Sequence, residues 1–155
     1  MRLLAVLAVA LLPHTGTFVP GQSLGGVRLG MTGAQVERLW GRDHGACQGC
    51  PVTTWYFTYK AFDPKGAEVQ LERGRVVAVA TLWSPAGWRT SRNLELGDET
   101  ARITLVYGAL RSVACNNYAA LVLPGRRATS AFYVVEGRLW GFGLVGPRRS
   151  ACLSR

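Results

Sequence analysis

Lysine is nearly missing from this chain, with only Lys60 and Lys65 among 155 residues. Acidic residues are few as well, nine against 18 Lys+Arg, so arginine supplies 16 of the cations (18 − 2) and the formal charge is +9. Histidine is limited to His14 and His44, which leaves little material for general-base chemistry. No Gly-x-Ser-x-Gly elbow occurs, and its lack excludes the nucleophile turn of the α/β-hydrolases. No Lys/Arg run exceeds two residues, which speaks against a nucleic-acid tract. Nor does any apolar run approach the roughly 20 residues of a membrane-spanning helix. The nine acids sit mostly at expected caps, turns and hairpins, where local structural roles account for them. A paired-carboxylate glycosidase would also need a deeper cleft than two small sheets supply. The chain is therefore expected not to be an enzyme, and no cofactor is expected.

What is present points to a folded, exported protein. Hydrophobic residues make up 48% of the chain and charged ones 17%, a balance that supports a packed core. Met1–Leu12 carries Arg2 and then ten apolar residues, the length of a signal-peptide core. Pro13, Gly16, Pro20 and Gly21 follow, so residues 1–20 are assigned to a signal peptide and the chain to the secreted fraction or cell envelope. Four cysteines in a short exported chain imply two disulfides with three possible pairings. The pairing adopted is Cys47 with Cys50, and Cys115 with Cys152. Excess arginine makes an anionic envelope polymer a possible partner, alongside a protein partner not identifiable from sequence.

The strongest internal signal is an echo. Val27–Gly41 returns as Leu94–Gly108, with Gly30 matching Gly97 and Gly41 matching Gly108 at a constant offset of 67 (97 − 30, 108 − 41). Each copy runs into aromatic strand text and closes at a Gly-Arg hairpin, Gly74-Arg75 and Gly137-Arg138. Thr32 with Gln35 reads as a capping box, and Gly41 as the end of that helix. In the second copy Asp98 or Glu99 takes the cap, and Ile103, Val106 and Tyr107 form the apolar stripe. Strands are predicted over 53–62, 67–72, 75–83, 118–123, 129–135 and 138–145, with a short helix or loop over 110–117. The resulting expectation is an α+β fold of two tandem repeats, each a helix followed by a three-stranded antiparallel sheet. The sheets lie side by side with the helices packed on one face. Repeat 1 covers 21–84, a linker 85–92, repeat 2 93–147, and a disulfide-tied tail 148–155.

An uncovered sheet face rich in aromatics would be a ready binding surface. Trp55, Phe57, Tyr59, Phe132, Trp140 and Phe142 are the partner-binding candidates, within a wider aromatic set that also holds Trp83, Trp88 and Tyr133. Cys47-Gln48-Gly49-Cys50 is the sharpest chemical motif, yet it follows a predicted helix and precedes Pro51, not the context of a redox dithiol. His44-x-x-Cys47-x-x-Cys50 has plausible metal-ligand spacing but lacks an obvious fourth ligand, and no metal site is assigned.

The Leu-Gly-Met-Thr pattern, the Gly-terminated helix and the Gly-Arg-Val-Val hairpin resemble an envelope superfamily. It includes the tandem-repeat β-lactamase inhibitory protein and the small outer-membrane-assembly lipoproteins. Val27–Gly41 and Gly74–Val79 carry the resemblance in the first copy, Leu94–Gly108 and Gly137–Phe142 in the second. It implies an exported, non-enzymatic module that binds other proteins or inhibits one through the open sheet face. The alternative is a thiol–disulfide exchange or metal-binding envelope protein built on Cys47 and Cys50.

Overall fold

The computed structural model describes residues 16–59 and 63–153. Eleven strands and two helices follow in the order β1 (Thr17–Val19), β2 (Ser23–Leu24), α1 (Gly33–Trp40), β3 (Gly45–Ala46), β4 (Thr53–Thr58), β5 (Gly66–Glu72), β6 (Arg75–Leu82), β7 (Arg89–Thr90), α2 (Thr100–Tyr107), β8 (Arg111–Cys115), β9 (Tyr118–Leu123), β10 (Thr129–Val135) and β11 (Arg138–Val145). One sheet has eight strands in the order β3-β4-β5-β6-β11-β10-β9-β8, antiparallel at every pairing. A second, of three strands, has the order β2-β1-β7.

This architecture overturns the expected pair of tandem helix-plus-three-strand repeats. The described residues are mostly β, and their two helices have only eight residues each. Three physical facts account for the difference. Residues 111–115, expected as helix or loop, form β8 because pairing with β9 satisfies their backbone along the whole strand. Gly45–Ala46 adds β3 to the opposite edge. Above all, β6 pairs with β11 through Ala78–Val145, Val79–Leu144 and Ala80–Gly143, so the strands make one continuous sheet and not two. The expected signal segment and linker also contribute structure. Phe18 in β1 and Trp88 beside β7 are fully buried, and residues 16–20 belong to the fold. The remainder of the signal-peptide assignment, residues 1–15, lies outside the described residues, as do residues 60–62 of the expected 53–62 strand.

The sequence echo has a concrete local meaning. Gly30 N–H donates to Val76 O at 2.8 Å, and Gly97 N–H donates to Leu139 O at 2.7 Å. Arg75 Nη1 donates to Gly30 O at 3.1 Å, and Arg138 Nη1 to Gly97 O at 3.0 Å. Both glycines have positive φ, +84° and +100°, a conformation L side chains avoid. Each Gly-Arg hairpin thus hooks the loop ahead of a helix onto the sheet. The recurring arginine is a strap on a carbonyl, and its charge makes that bond stronger than a neutral one.

Helix α1 starts where Gln35 N–H donates to Thr32 Oγ1 and Thr32 N–H to Gln35 Oε1, and stops at Gly41. Helix α2 has Glu99 at its cap but no side-chain cap bond; Asp98 accepts from Glu95 N–H and Arg102 instead. Helices this short hold only when docked. Val36, Trp40 and Ile103 supply the docking, entering the main core with Phe57, Val69, Phe132 and Phe142. Phe18 stacks on Phe142 at 5.0 Å and meets Phe132 edge-on at 5.7 Å, which places the three-stranded sheet over this core.

The opposite face of the large sheet is built for close approach. One row across it reads Glu68, Ala80, Gly143, Ala131 and Val122, and the next includes Gly141, Tyr133 and Ala120. Small residues leave a trough for the Tyr133 ring, which is fully buried. A Cβ placed on Gly143 would stand 2.8 Å from Tyr133 Cζ. Gly143→Ala is therefore expected to cost about 1–3 kcal/mol of stability, an overpacking penalty. The urea midpoint of the variant measures it, and an unchanged midpoint would show that Tyr133 is not seated there.

Candidate functional site

The aromatic residues proposed as a partner surface divide between the two faces. Phe57, Phe132 and Phe142 are 1%, 0% and 0% exposed and lie in the core beneath the helices. Their place in that core removes them as partner contacts. Trp55 and Tyr59 are half-buried against the same core. Trp55 stacks on His44 at 4.1 Å, and Tyr59 Oη accepts from Trp88 Nε1 at 2.6 Å. Trp140 alone among the six reaches the other face. The pattern of alternation marked two faces but not which of them the helices would cover.

That other face is partly roofed by the chain's last described segment. Cys152 is bridged to Cys115 with Cα atoms 5.6 Å apart. Tyr133 Oη donates to Ala151 O at 2.9 Å, and Leu153 N–H donates to Tyr118 Oη at 2.6 Å. Arg149 meets Glu72 at 2.8 Å. Beneath the segment lies a cavity of about 120 Å³ bordered by Glu68, Gln70 and Arg149. Glu68 and Gln70 are buried, with Gln70 Nε2 donating to Glu68 Oε1 at 3.4 Å.

Beyond this roof no described segment covers the face. A groove of about 500 Å³ runs from Trp83, at the end of β6, past Trp140 to the β8–β9 turn. Asn116, Asn117, Tyr118 and Leu153 complete its principal walls. Trp83 is 49% exposed and meets Trp140 edge-on at 6.1 Å. Trp140 arrives there because the β10–β11 register shifts at Tyr133/Val134: Tyr133 faces Gly141 while Val134 faces Leu139, leaving Trp140 as an extra residue. Trp83 and the next residue, Ser84, have φ of +55° and +49°. Left-handed backbone at a bulky residue costs on the order of 1–2 kcal/mol, so the fold holds this indole in place against local preference. Sequence reasoning had Trp83 in its wider aromatic set but missed Asn116, Asn117 and Tyr118. Asn116 and Asn117 are signalled only by a two-residue turn between strands, which a helix or loop over 110–117 hides, and Tyr118 opens the expected strand 118–123 without a mark of its own.

The CxxC pair forms a disulfide with Cα atoms 5.7 Å apart, and Cys47 N–H donates to Thr54 O at 2.9 Å. The bridge therefore closes the tip of the β3–β4 hairpin. It is not at a helix N-terminus, the position that stabilises a thiolate. His44 Nε2 lies 3.2 Å from Glu37 Oε1. Among the described residues no group of three or more His, Cys, Asp or Glu converges, and none of their helices is long and apolar enough to cross a membrane.

The two bridges should differ in weight. Cys115–Cys152 spans 37 positions and Cys47–Cys50 spans 3. Loop-closure entropy then gives about 4 kcal/mol for the first and about 2 kcal/mol for the second. Paired serine variants in denaturant titrations should rank in that order, and the reverse order would remove the tail's structural role. Burial pushes the Tyr133 phenol well above its ordinary 10.0, with Tyr118 and Glu68 adding to the effect. Because the raised value belongs to the folded state, its stabilisation is whole below about pH 10 and declines as pH climbs further. Tyr133→Phe should flatten the fall of stability above pH 10; an unchanged slope would contradict the burial.

No family model matches this chain, and no curated protein matches it by sequence. Solved structures match it by shape. An extracellular protein containing a SCP domain from Bacillus anthracis is 8% identical, with a TM-score of 0.58, over 76% of this chain and 44% of that one. This chain thus spans less than half of that protein's length. A DUF4309 family protein (YjgB) from Bacillus subtilis is 13% identical, with a TM-score of 0.59, over 81% of this chain and 85% of that one. Neither match is to the inhibitory-protein or assembly-lipoprotein families that the sequence resembles, and at such identities the likeness is one of fold alone.

Proposed function

We propose that this protein works outside the cytoplasm, secreted or at the cell envelope, as a non-catalytic binding module. Its recognition site is the groove at Trp83, Trp140 and Tyr118. The observation that carries the reading is a half-exposed tryptophan, held in left-handed backbone, at the mouth of an aromatic groove. Exposed aromatic anchors in a concave setting are the features that dominate recognition energetics. Two disulfides fit an oxidising compartment, the apolar first twelve residues fit export, and one structural neighbour is an extracellular protein. The protein-interaction or inhibitor-like role expected from the sequence is kept in this reading, and the two disulfides support its extracytoplasmic setting. Its surface changes, from a broad aromatic sheet to a groove at one end of it.

The test compares wild type with Trp83→Ala as immobilised bait against envelope extract and culture medium of the producing cell. Wild type should retain a specific component that Trp83→Ala loses at least about tenfold, at unchanged far-UV circular dichroism and urea midpoint. Equal retention by both proteins, or none by either, contradicts the assignment.

A further inference from the structure

The described lining of the groove is uncharged, and this narrows what that lining can hold. Among the described residues its lining contains no Asp, Glu, Lys, Arg or His, although the chain carries a formal charge of +9. A phosphate, carboxylate or ammonium group bound there would lose water without gaining a counter-charge, an unfavourable exchange. A nucleotide or an acidic peptide is thus a poor fit.

What the groove offers is aromatic surface beside amides. Trp83, Trp140 and Tyr118 provide rings. Asn116 and Asn117 each provide a carbonyl acceptor and two N–H donors. A hydroxyl group also donates and accepts, so an amide is its natural complement. The ligand that satisfies both halves has an apolar face and a rim of hydroxyls. That is the chemistry of a pyranose ring, whose C–H face lies against an aromatic ring while its edge hydroxyls bond to amides. Large amphipathic rings of this kind contribute area at small conformational cost. The volume of about 500 Å³ falls within the range usual for small-molecule sites. Both asparagines are exposed, at the open end of the β8–β9 turn, where hydroxyls could reach them while a ring rests on Trp83.

We propose that the groove binds a neutral sugar unit, with Trp83 and Trp140 as stacking platforms and Asn116 and Asn117 as hydroxyl partners. The inference rests on the binding-module reading and specifies the ligand class. A protein side chain in the groove is the alternative that the experiment separates.

The probes are malto-, cello- and chito-oligosaccharides, with polygalacturonate and hyaluronate as acidic counterparts. Binding is followed by intrinsic tryptophan fluorescence and calorimetry for wild type, Trp83→Ala, Trp83→Phe and Asn117→Ala, each checked for fold by far-UV circular dichroism and urea midpoint. A neutral oligosaccharide should bind saturably, with at least about tenfold loss in Trp83→Ala and Asn117→Ala and partial retention in Trp83→Phe. Its affinity should change less than about twofold between roughly 0.05 and 0.5 M salt, because no charge pair is screened. Neutral-sugar binding that Trp83→Ala leaves intact overturns the proposal. So does binding of acidic polymers alone with steep loss in salt. If no sugar binds while wild type, but not Trp83→Ala, still retains a protein, the sugar assignment falls and the binding module stands. If neither sugar nor any other component distinguishes the two proteins, both fall.

Discussion

Three residue pairs between β6 and β11 hold the large sheet together across its middle. Ala78, Ala80 and Gly143 keep that seam thin, which is why the Tyr133 ring and the 147–153 segment can lie flat against it. Past Ala80 and Gly143 the ladder gives way to a side chain, and Thr81 Oγ1 accepts from Phe142 N–H at 2.9 Å. Thr81 is fully buried, so this bond satisfies a backbone donor where the pairing ends. Trp83, one residue past β6, and Trp140 in β11 sit just beyond that point. The seam therefore fixes both the roofed part of the face and the open part.

The two sides of the sheet have divided their work. Aromatic and branched side chains fill the side under α1, α2 and the small sheet, where Phe18, Trp40 and Trp88 interlock around Phe57 and Phe142. Trp88 needs bare backbone to fit; a Cβ on Gly25 would come within 2.8 Å of its ring. The other side carries alanine and glycine at its centre and keeps its remaining tryptophans for the end. A core this well supplied on one face leaves the second face available for recognition without depending on it for the bulk of apolar burial.

Much of the local structure was legible in the chain. Thr32 with Gln35 marks the start of α1, Gly41 its end, and the Gly-Arg pairs mark hairpins, because each signal is satisfied within a few residues. The fold class was not legible, for a physical reason. The echo of Val27–Gly41 in Leu94–Gly108 records two similar hooks of loop onto hairpin, and those hooks are compatible with one sheet or with two. Which it is depends on Ala80 meeting Gly143, a contact 63 positions apart (143 − 80) with no local signature. The same blindness misplaced Phe57, Phe132 and Phe142. Period-two alternation separates two faces, but only tertiary contacts say which face the helices cover. The groove required one further step, the strand at Arg111–Cys115 that brings Asn116 and Asn117 to the same end as Trp83.

Amide hydrogen exchange at the seam tests the account most directly. The amides of Val79, Ala80, Gly143 and Leu144 should be among the slowest in the chain, opening only with global unfolding. Those of the edge strand β8 should exchange far sooner. Seam amides that exchange as fast as the edge would mean that β6 and β11 are not joined, and that the single sheet on which the groove stands does not exist.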